Sequence, residues 1–433
     1  MHETVTNSSI LQQFNHLLSV QDYENAKRIL EHMISSGYPS SLISFGEQKL
    51  QTSQPDKKAF NKHHGDVNRA VKLSNSYKQP AQCEDRMRML REFGKGFLGP
   101  LLHVFYARLI TRTQLSSSIG SLFFLAREGY LLQQGFETLC RASSLQRSSK
   151  YLVASRTLLF RLIIANPGSH NLILSHSYKG SLLNFFLYRC GLQAEELGEL
   201  QVRGTVFESK GMDSYIDLST DRQKIASLLQ DNLERLQIIT ASSRNAYRDY
   251  LDSIGFMSDS HPSIVDIGYS GTIQKALSMF SGKSIKGHYM VTTEGAVNNA
   301  TNFFTGYLFN RQRWGQGCIL LEKSLYLETL LTAPVGSALN IHRQGNGYRF
   351  DYGPETISQK RFADIEEIFA GAIEYCIVMN ESKISTTPQQ ADLFYEMFVS
   401  CRHNFPPEVL SLLELEDAYS GLGTVKPVDI YHA

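Results

Sequence analysis

No two cysteines in this chain are spaced as Cys-x-x-Cys; the six stand at 83, 140, 190, 318, 376 and 401. That spacing excludes the common zinc modules, argues against a disulfide framework and suits a reducing compartment. No apolar run approaches the roughly 18 residues that a membrane span needs. Neither sign of charge dominates: 43 Lys and Arg against 42 Asp and Glu leave a net +1. Bulk charge therefore gives no reason to expect nucleic acid or an acidic partner. The opening Met1-His2-Glu3-Thr4 lacks the apolar core of a signal peptide. The expectation is a cytoplasmic protein, with room for peripheral association at the inner face of the cytoplasmic membrane.

Several nucleotide and metal motifs are missing too. Gly282-Lys283-Ser284 has no upstream glycine at P-loop distance. No Asp-x-Asp is available to chelate the metal of a nucleotide-sugar transferase. There is no His-x-x-x-His pair and no Gly-x-Ser-x-Gly elbow. The pair His63-His64 is adjacent, so its members fall on different faces of any regular element and read as solvated.

What is present is a globular composition, 42% hydrophobic and 20% charged over 433 residues, enough for one large domain with appendages. Residues 1–52 read as a helical appendage, with stripes such as Leu11, Phe14, Leu17 and Leu18. A polar linker over 53–85 follows. From Glu84 to Thr113 the pattern is helical, interrupted at Gly94 to Pro100. The domain expected over 86–345 then carries three apolar runs that each break into a polar loop. Ser121 to Ala126 runs into Arg127-Glu128-Gly129, with a helix beginning near Leu131. Tyr151 to Ala154 runs into Ser155-Arg156. Ile264-Val265-Asp266-Ile267 runs into Gly268-Tyr269-Ser270-Gly271-Thr272, after which Ile273, Ala276, Leu277 and Phe280 fall at helical spacing. Asp221 to Ile254 is one long amphipathic helix or two. Lys286 to Thr293 reads as another strand, and Tyr348 to Tyr352 as part of a hairpin in a mostly helical C-terminal part, 346–433.

A strand, a tight Gly/Ser/Thr loop and a helix make an anion site, because loop N–H groups and the helix dipole converge there. In a parallel sheet, strand ends lie side by side at one edge. Two arginines, suited to bidentate phosphate contact, would then share a crevice with the 268–272 loop. Taken singly, each arginine is better explained by a surface ion pair; their shared position, each just after an apolar strand, favours the functional reading. Asp266, beside a phosphate cradle, fits sugar hydroxyls or a metal better than the phosphate itself. Glu328, on an apolar segment before Pro334-Val335-Gly336-Ser337, can be a base or a paired structural acid.

The ordered set Gly99-Pro100-Leu101-Leu102, Phe124-Leu125-Ala126-Arg127-Glu128-Gly129-Tyr130, Tyr151 to Arg156 and Val265 to Thr272 resembles a family of polysaccharide phosphoribosyltransferases from bacterial O-antigen and capsule clusters. Two positions depart from it: Glu128 where Asp is more frequent, and Val335 where a His is common. The resemblance implies an α/β, Rossmann-like, mainly parallel sheet flanked by helices, with helical appendages at both ends. It implies transfer of ribose 5-phosphate from 5-phosphoribosyl-1-pyrophosphate (PRPP) to a sugar hydroxyl of a lipid-linked glycan, with Mg²⁺. A haloacid-dehalogenase-type phosphatase would then remove the 5-phosphate. Catalytic roles fall to Glu128, Asp266 and Glu328. Donor binding falls to Arg127, Ser155, Arg156, Asp266 and Gly268, Tyr269, Ser270, Gly271 and Thr272, with Asp266 as the metal contact. The rival readings are a nucleotide-sugar glycosyltransferase, a phosphatase (disfavoured because Gly268 replaces its second aspartate) and a non-catalytic scaffold.

Overall fold

The computed structural model describes residues 83–115, 120–202, 204–420 and 423–431, together with Lys27 and Glu31. The appendage expected over 1–52 otherwise lies outside the described residues, as does the linker, with His63 and His64, up to residue 82. Cys83 to Asp85, placed in that linker by the sequence, already belong to a helix.

Two helices come first, α1 (Cys83–Phe97) and α2 (Gly99–Leu115), parted only at Leu98. Then follow β1 (Leu122–Leu125), α3 (Gly129–Ala142), β2 (Ser149–Leu152) and α4 (Arg156–Ile163). A small antiparallel pair, β3 (Lys179–Ser181) with β4 (Tyr215–Asp217), precedes α5 (Arg222–Asp231) and α6 (Leu233–Ser253). The long amphipathic stretch is thus two helices. Asn232 parts them, its side chain bonded to both backbone groups of Gln201.

The chain continues with β5 (Ser263–Asp266), α7 (Thr272–Ser281), β6 (Ile285–Thr293) and β7 (Asn302–Gln312). After α8 (Leu325–Leu330) come the hairpin β8 (Ala338–Gln344) and β9 (Gly347–Tyr352), then α9 (Phe362–Glu381) and α10 (Pro388–Val399). A last hairpin pairs β10 (Leu415–Asp417) with β11 (Gly423–Val425).

The five-stranded sheet has the order β2-β1-β5-β6-β7, and every neighbouring pair in it is parallel. The protein is therefore α/β, with a Rossmann-like parallel sheet flanked by helices. β1 and β5 are buried along their whole length, which is why they read as continuous apolar runs. Phe123, Phe124, Leu125, Ile264 and Val265 have no solvent exposure. Burying each such side chain contributes roughly 1.5–3 kcal/mol. β2 is an edge strand and its polar Ser149 and Lys150 are half-buried, so it begins and ends two residues before the expected 151–154. β7 was not expected at all. It is the opposite edge, and Asn302, Thr305, Asn310 and Gln312 dilute its apolar signal.

The topology has one consequence for function. From β1 the chain crosses through α3 to β2 on one side; later it returns to β5 on the other side of β1. The loops after β1 and β5 therefore diverge, and a crevice opens outside the carboxyl ends of these two strands.

The chain divides into two compact units, one of residues 1–104 and 370–409, the other of 105–369 and 410–433. The division differs from the boundaries expected at 85 and 345. The first unit is helical where described, with Phe97 packed between Phe93 and Tyr395 at ring distances of 5.2 and 5.1 Å. The second holds the sheet. Among the described residues no helix is long and apolar enough to cross a membrane.

Candidate active site

The loops after β1, β2 and β5, neighbours in the sheet, line one cavity of about 300 Å³. Every site residue expected from the sequence is on its wall: Arg127, Glu128, Ser155, Arg156, Asp266, Gly268, Tyr269, Ser270, Gly271, Thr272 and Glu328. Each loop leads directly into a helix, so the amino ends of α3, α4 and α7 meet at this cavity. Helix N-termini carry unsatisfied N–H groups and partial positive charge. The peptide bonds Ala126–Arg127 and Gly268–Tyr269, one in each of two loops, are cis.

The positive side of the cavity is unengaged. Arg127 makes no hydrogen bond or ion pair through its guanidinium with a described residue, and neither does Arg156. Arg156 is instead stacked over Tyr419, with Cζ 4.2 Å from the ring centroid. The backbone N–H groups of Gly268, Ser270, Gly271 and Thr272 likewise donate to no described group. Unpaired donors that converge on one cavity at a helix N-terminus are suited to an anion. The loop carrying them is held from behind. Lys275 Nζ donates to Ser270 O at 3.0 Å and to Gly295 O at 2.6 Å, and Ser270 Oγ bonds Thr293 Oγ1 at 2.7 Å.

The negative side is a trio of carboxylates. Asp266 is only 6% exposed, and its one hydrogen bond is from Ile267 N–H to Oδ1, at 2.8 Å. Burial first, then the charge of Glu128, holds its carboxyl well above the usual carboxylate range. Glu328 is pushed up to about 7, by burial first and then by Glu128, against the opposing pull of Arg156 and Arg127. Glu128 Oε2 accepts from Arg127 N–H at 3.1 Å. Glu128 thus raises the proton affinity of both Asp266 and Glu328, and Glu328 adds to that of Asp266. Yet among the described residues no group of three or more His, Cys, Asp or Glu is placed to grip one metal ion. Mg²⁺ does not need such a cage: it commonly takes one or two carboxylates and completes its shell with water and substrate phosphate. A buried acid with surplus negative potential around it, as Asp266 is, suits that role.

Two expectations need correction. Ser155 lines the cavity, but its hydroxyl is committed elsewhere. It caps α4 by accepting from Leu158 N–H at 2.9 Å and donates to Ala338 O at 2.5 Å, so it positions Arg156 and is not a free ligand donor. The Gly/Ser/Thr loop was expected only as an anion site, and its glycines have a packing role besides. Gly271 has φ +65°, and a Cβ there would collide with the Phe304 ring; a Cβ on Gly268 would meet Val291 O at 2.8 Å. Both glycines thus let the loop lie tightly on β6 and β7, and Gly271 also supplies the left-handed turn before α7.

Several contributors were not foreseen. His176 lines the wall and is lowered to about 4, by burial first and then by Arg156, Arg189 and Lys275. Its ring is therefore neutral at pH 7, and its neighbours make this side of the cavity cationic. Arg189 is fully buried and bonds His176 O and Ser177 O, each at 3.1 Å, which fixes His176. Tyr419 comes from the C-terminal segment, where the sequence offered nothing catalytic. Trp314, the single tryptophan, also lines the cavity while 59% exposed. A side lobe of about 50 Å³ shares Arg127, Ser155, Arg156 and Ser337 with the main cavity and is bounded by Glu416, Asp417 and Tyr419. Neither His176 nor Trp314 nor Tyr419 sits in a Gly/Ser/Thr loop after an apolar run, which was the signal that found the others.

No family model matches the chain, and no curated protein matches it.

Proposed function

We propose that the 105–369 and 410–433 unit is a phosphoribosyltransferase, moving ribose 5-phosphate from PRPP to a sugar hydroxyl of a growing surface polysaccharide. The observation that carries this reading is the unengaged cationic and N–H donor set around one cavity, with a buried carboxylate beside it. A donor with a phosphate at one end of a ribose and a pyrophosphate at the other needs two anion grips and, between them, acceptors for ribose hydroxyls. The 268–272 loop at the amino end of α7 is suited to the 5-phosphate. Arg127 and Arg156 are suited to the pyrophosphate. Asp266 is suited to the ribose hydroxyls.

In the reaction the C1–O bond to pyrophosphate breaks and its electron pair leaves with that oxygen. Positive charge develops on the ribose ring, and the acceptor oxygen then bonds C1. Arg127 and Arg156 stabilise the charge gathering on the leaving group, which is where fixed cations lower the barrier most. The acceptor gives up its proton late. Glu328, with its affinity near pH 7, is tuned for that transfer, and Glu128 is the other candidate base. Mg²⁺, when bound through Asp266 and the donor's phosphates, would neutralise phosphate charge. The product would still carry the 5-phosphate, so a phosphatase of the haloacid-dehalogenase type is the expected partner.

Calorimetry with PRPP and Mg²⁺, beside UDP- and GDP-sugars, tests the reading. PRPP binding is the expected result. Binding of a nucleotide sugar with no response to PRPP would replace it with a nucleotide-sugar transferase.

A further inference from the structure

Trp314 leaves a large apolar ring in water, which the hydrophobic effect disfavours. It is 59% exposed although it lines the cavity. Its indole makes no hydrogen bond and no ring contact with another described residue. The segment that carries it, 313–318, is nonetheless tied down at both ends. Arg313 pairs with Glu294, and Gly317 N–H donates to Glu322 Oε1 at 2.9 Å. The indole is therefore held out over the cavity and not folded onto the protein.

We propose that Trp314 is the stacking platform for the acceptor, and that the acceptor ring it receives is an uncharged hexopyranose. The inference rests on the phosphoribosyl reading and goes beyond it by naming the acceptor's subsite and chemical class. Two observations carry it. The first is chemical. The remaining wall is dominated by groups that answer charge or hydroxyls: Arg127, Arg156, the loop N–H groups and three carboxylates. Trp314 offers none of these. It offers a flat face with negative quadrupole, which suits the apolar face that the axial C–H groups of a pyranose present. The second is positional. The donor groups arise from the loops after β1, β2 and β5, whereas Trp314 follows β7, at the far edge of the order β2-β1-β5-β6-β7. Trp314 thus comes from a segment that carries none of the proposed donor-binding groups, as a separate acceptor contact in a shared cavity requires.

The protein carries its own probe, because Trp314 is its only tryptophan. Methyl glycosides of glucose, galactose, mannose and N-acetylglucosamine are titrated into the full chain with Mg²⁺ and pyrophosphate present, and indole emission is followed. A blue shift with at least one glycoside, and none with UDP or ADP, is expected. With that glycoside as acceptor, Trp314→Ala should raise the acceptor KM roughly tenfold, the scale of a single aromatic stack. The donor KM should not move, and Trp314→Phe should recover most of the loss. Emission that answers UDP or ADP, or an unchanged acceptor KM in Trp314→Ala, overturns the proposal. So does silence toward every glycoside in a protein that binds PRPP by calorimetry; that outcome leaves the phosphoribosyl reading standing. Absence of PRPP binding overturns both.

Discussion

Arg156 lies with its guanidinium carbon 4.2 Å from the centre of the Tyr419 ring, and no carboxylate pairs with it among the described residues. A cation oriented by an aromatic ring keeps its N–H donors for a ligand, which a cation held by an ion pair does not. The same ring takes Arg189, at 4.4 Å. A residue from the C-terminal segment thus orients an arginine from the loop after β2. Tyr419→Leu should weaken PRPP binding about 3- to 10-fold, the worth of a partly exposed cation–π contact, while Tyr419→Phe should bind nearly as the parent does. Calorimetry decides, and equal affinity in the Leu variant would mean that the ring does not orient Arg156.

Arg127 supports nothing in the fold through its guanidinium, so its loss should be read in the ligand and not in stability. Arg127→Ala should unfold within a degree or two of the parent. Its PRPP affinity should fall by about 1.5–3 kcal/mol, roughly 10- to 150-fold, as expected for a charge-assisted hydrogen bond. A thermal melt and a calorimetric titration on one preparation separate the two effects. A variant that melts early but binds normally would make Arg127 a structural residue.

Glu328 gives the stability a pH dependence of defined sign. Its folded proton affinity is raised from the ordinary 4.5 to about 7, so between these values the folded state holds a proton that the unfolded state has lost. Stability contributed by that proton is complete below 4.5 and is lost as pH rises toward 7. Glu328→Gln should remove this part of the slope. Its melting temperature should fall less than the parent's between pH 5 and pH 8, and near pH 8 it should be the more stable protein. Parallel melting curves across that range would show that Glu328 is not a raised acid.

The three strand-end loops were legible because buried parallel strands leave continuous apolar runs, and the residues that break such a run stand out. Leu122 to Leu125 before Arg127, and Ile264 to Val265 before Asp266, are of this kind. The edge strands were harder: half-buried Ser149 and Lys150 shifted β2, and polar β7 was missed. Roles set by long-range contact were not legible at all. Nothing near Ser155 in the sequence indicates that its hydroxyl reaches Ala338 O, nor does anything near Gly271 reveal the Phe304 ring behind it. For the same reason Gly271→Val is not a clean probe of a phosphate cradle, since its side chain would meet Phe304 before it met any ligand.

Asp266→Asn is the cleaner probe, because the two states of this acid separate stability from function. In the free protein the carboxyl is buried at the end of β5, and burial first, then the charge of Glu128, raises its proton affinity well above the usual carboxylate range. Asn matches the protonated acid in shape and keeps an oxygen to accept from Ile267 N–H, the bond now made by Oδ1. The substitution should leave the fold intact. It should also stabilise it above about pH 4, the ordinary carboxylate range, where the parent must hold a buried proton that its unfolded state has released. Binding is different. A ribose with Mg²⁺ calls for the carboxylate, so the parent must release the Asp266 proton as it binds, and its affinity should rise with pH. The Asn variant has no such proton to release. Its affinity should be lower and flatter with pH, and turnover should fall on the order of 10²–10³-fold, the range for losing one preorganised electrostatic contact to a transition state. Calorimetry in buffers of differing ionisation enthalpy counts the protons released. An Asn variant that releases as many protons as the parent on binding PRPP and Mg²⁺, and turns over as fast, would remove Asp266 from the site.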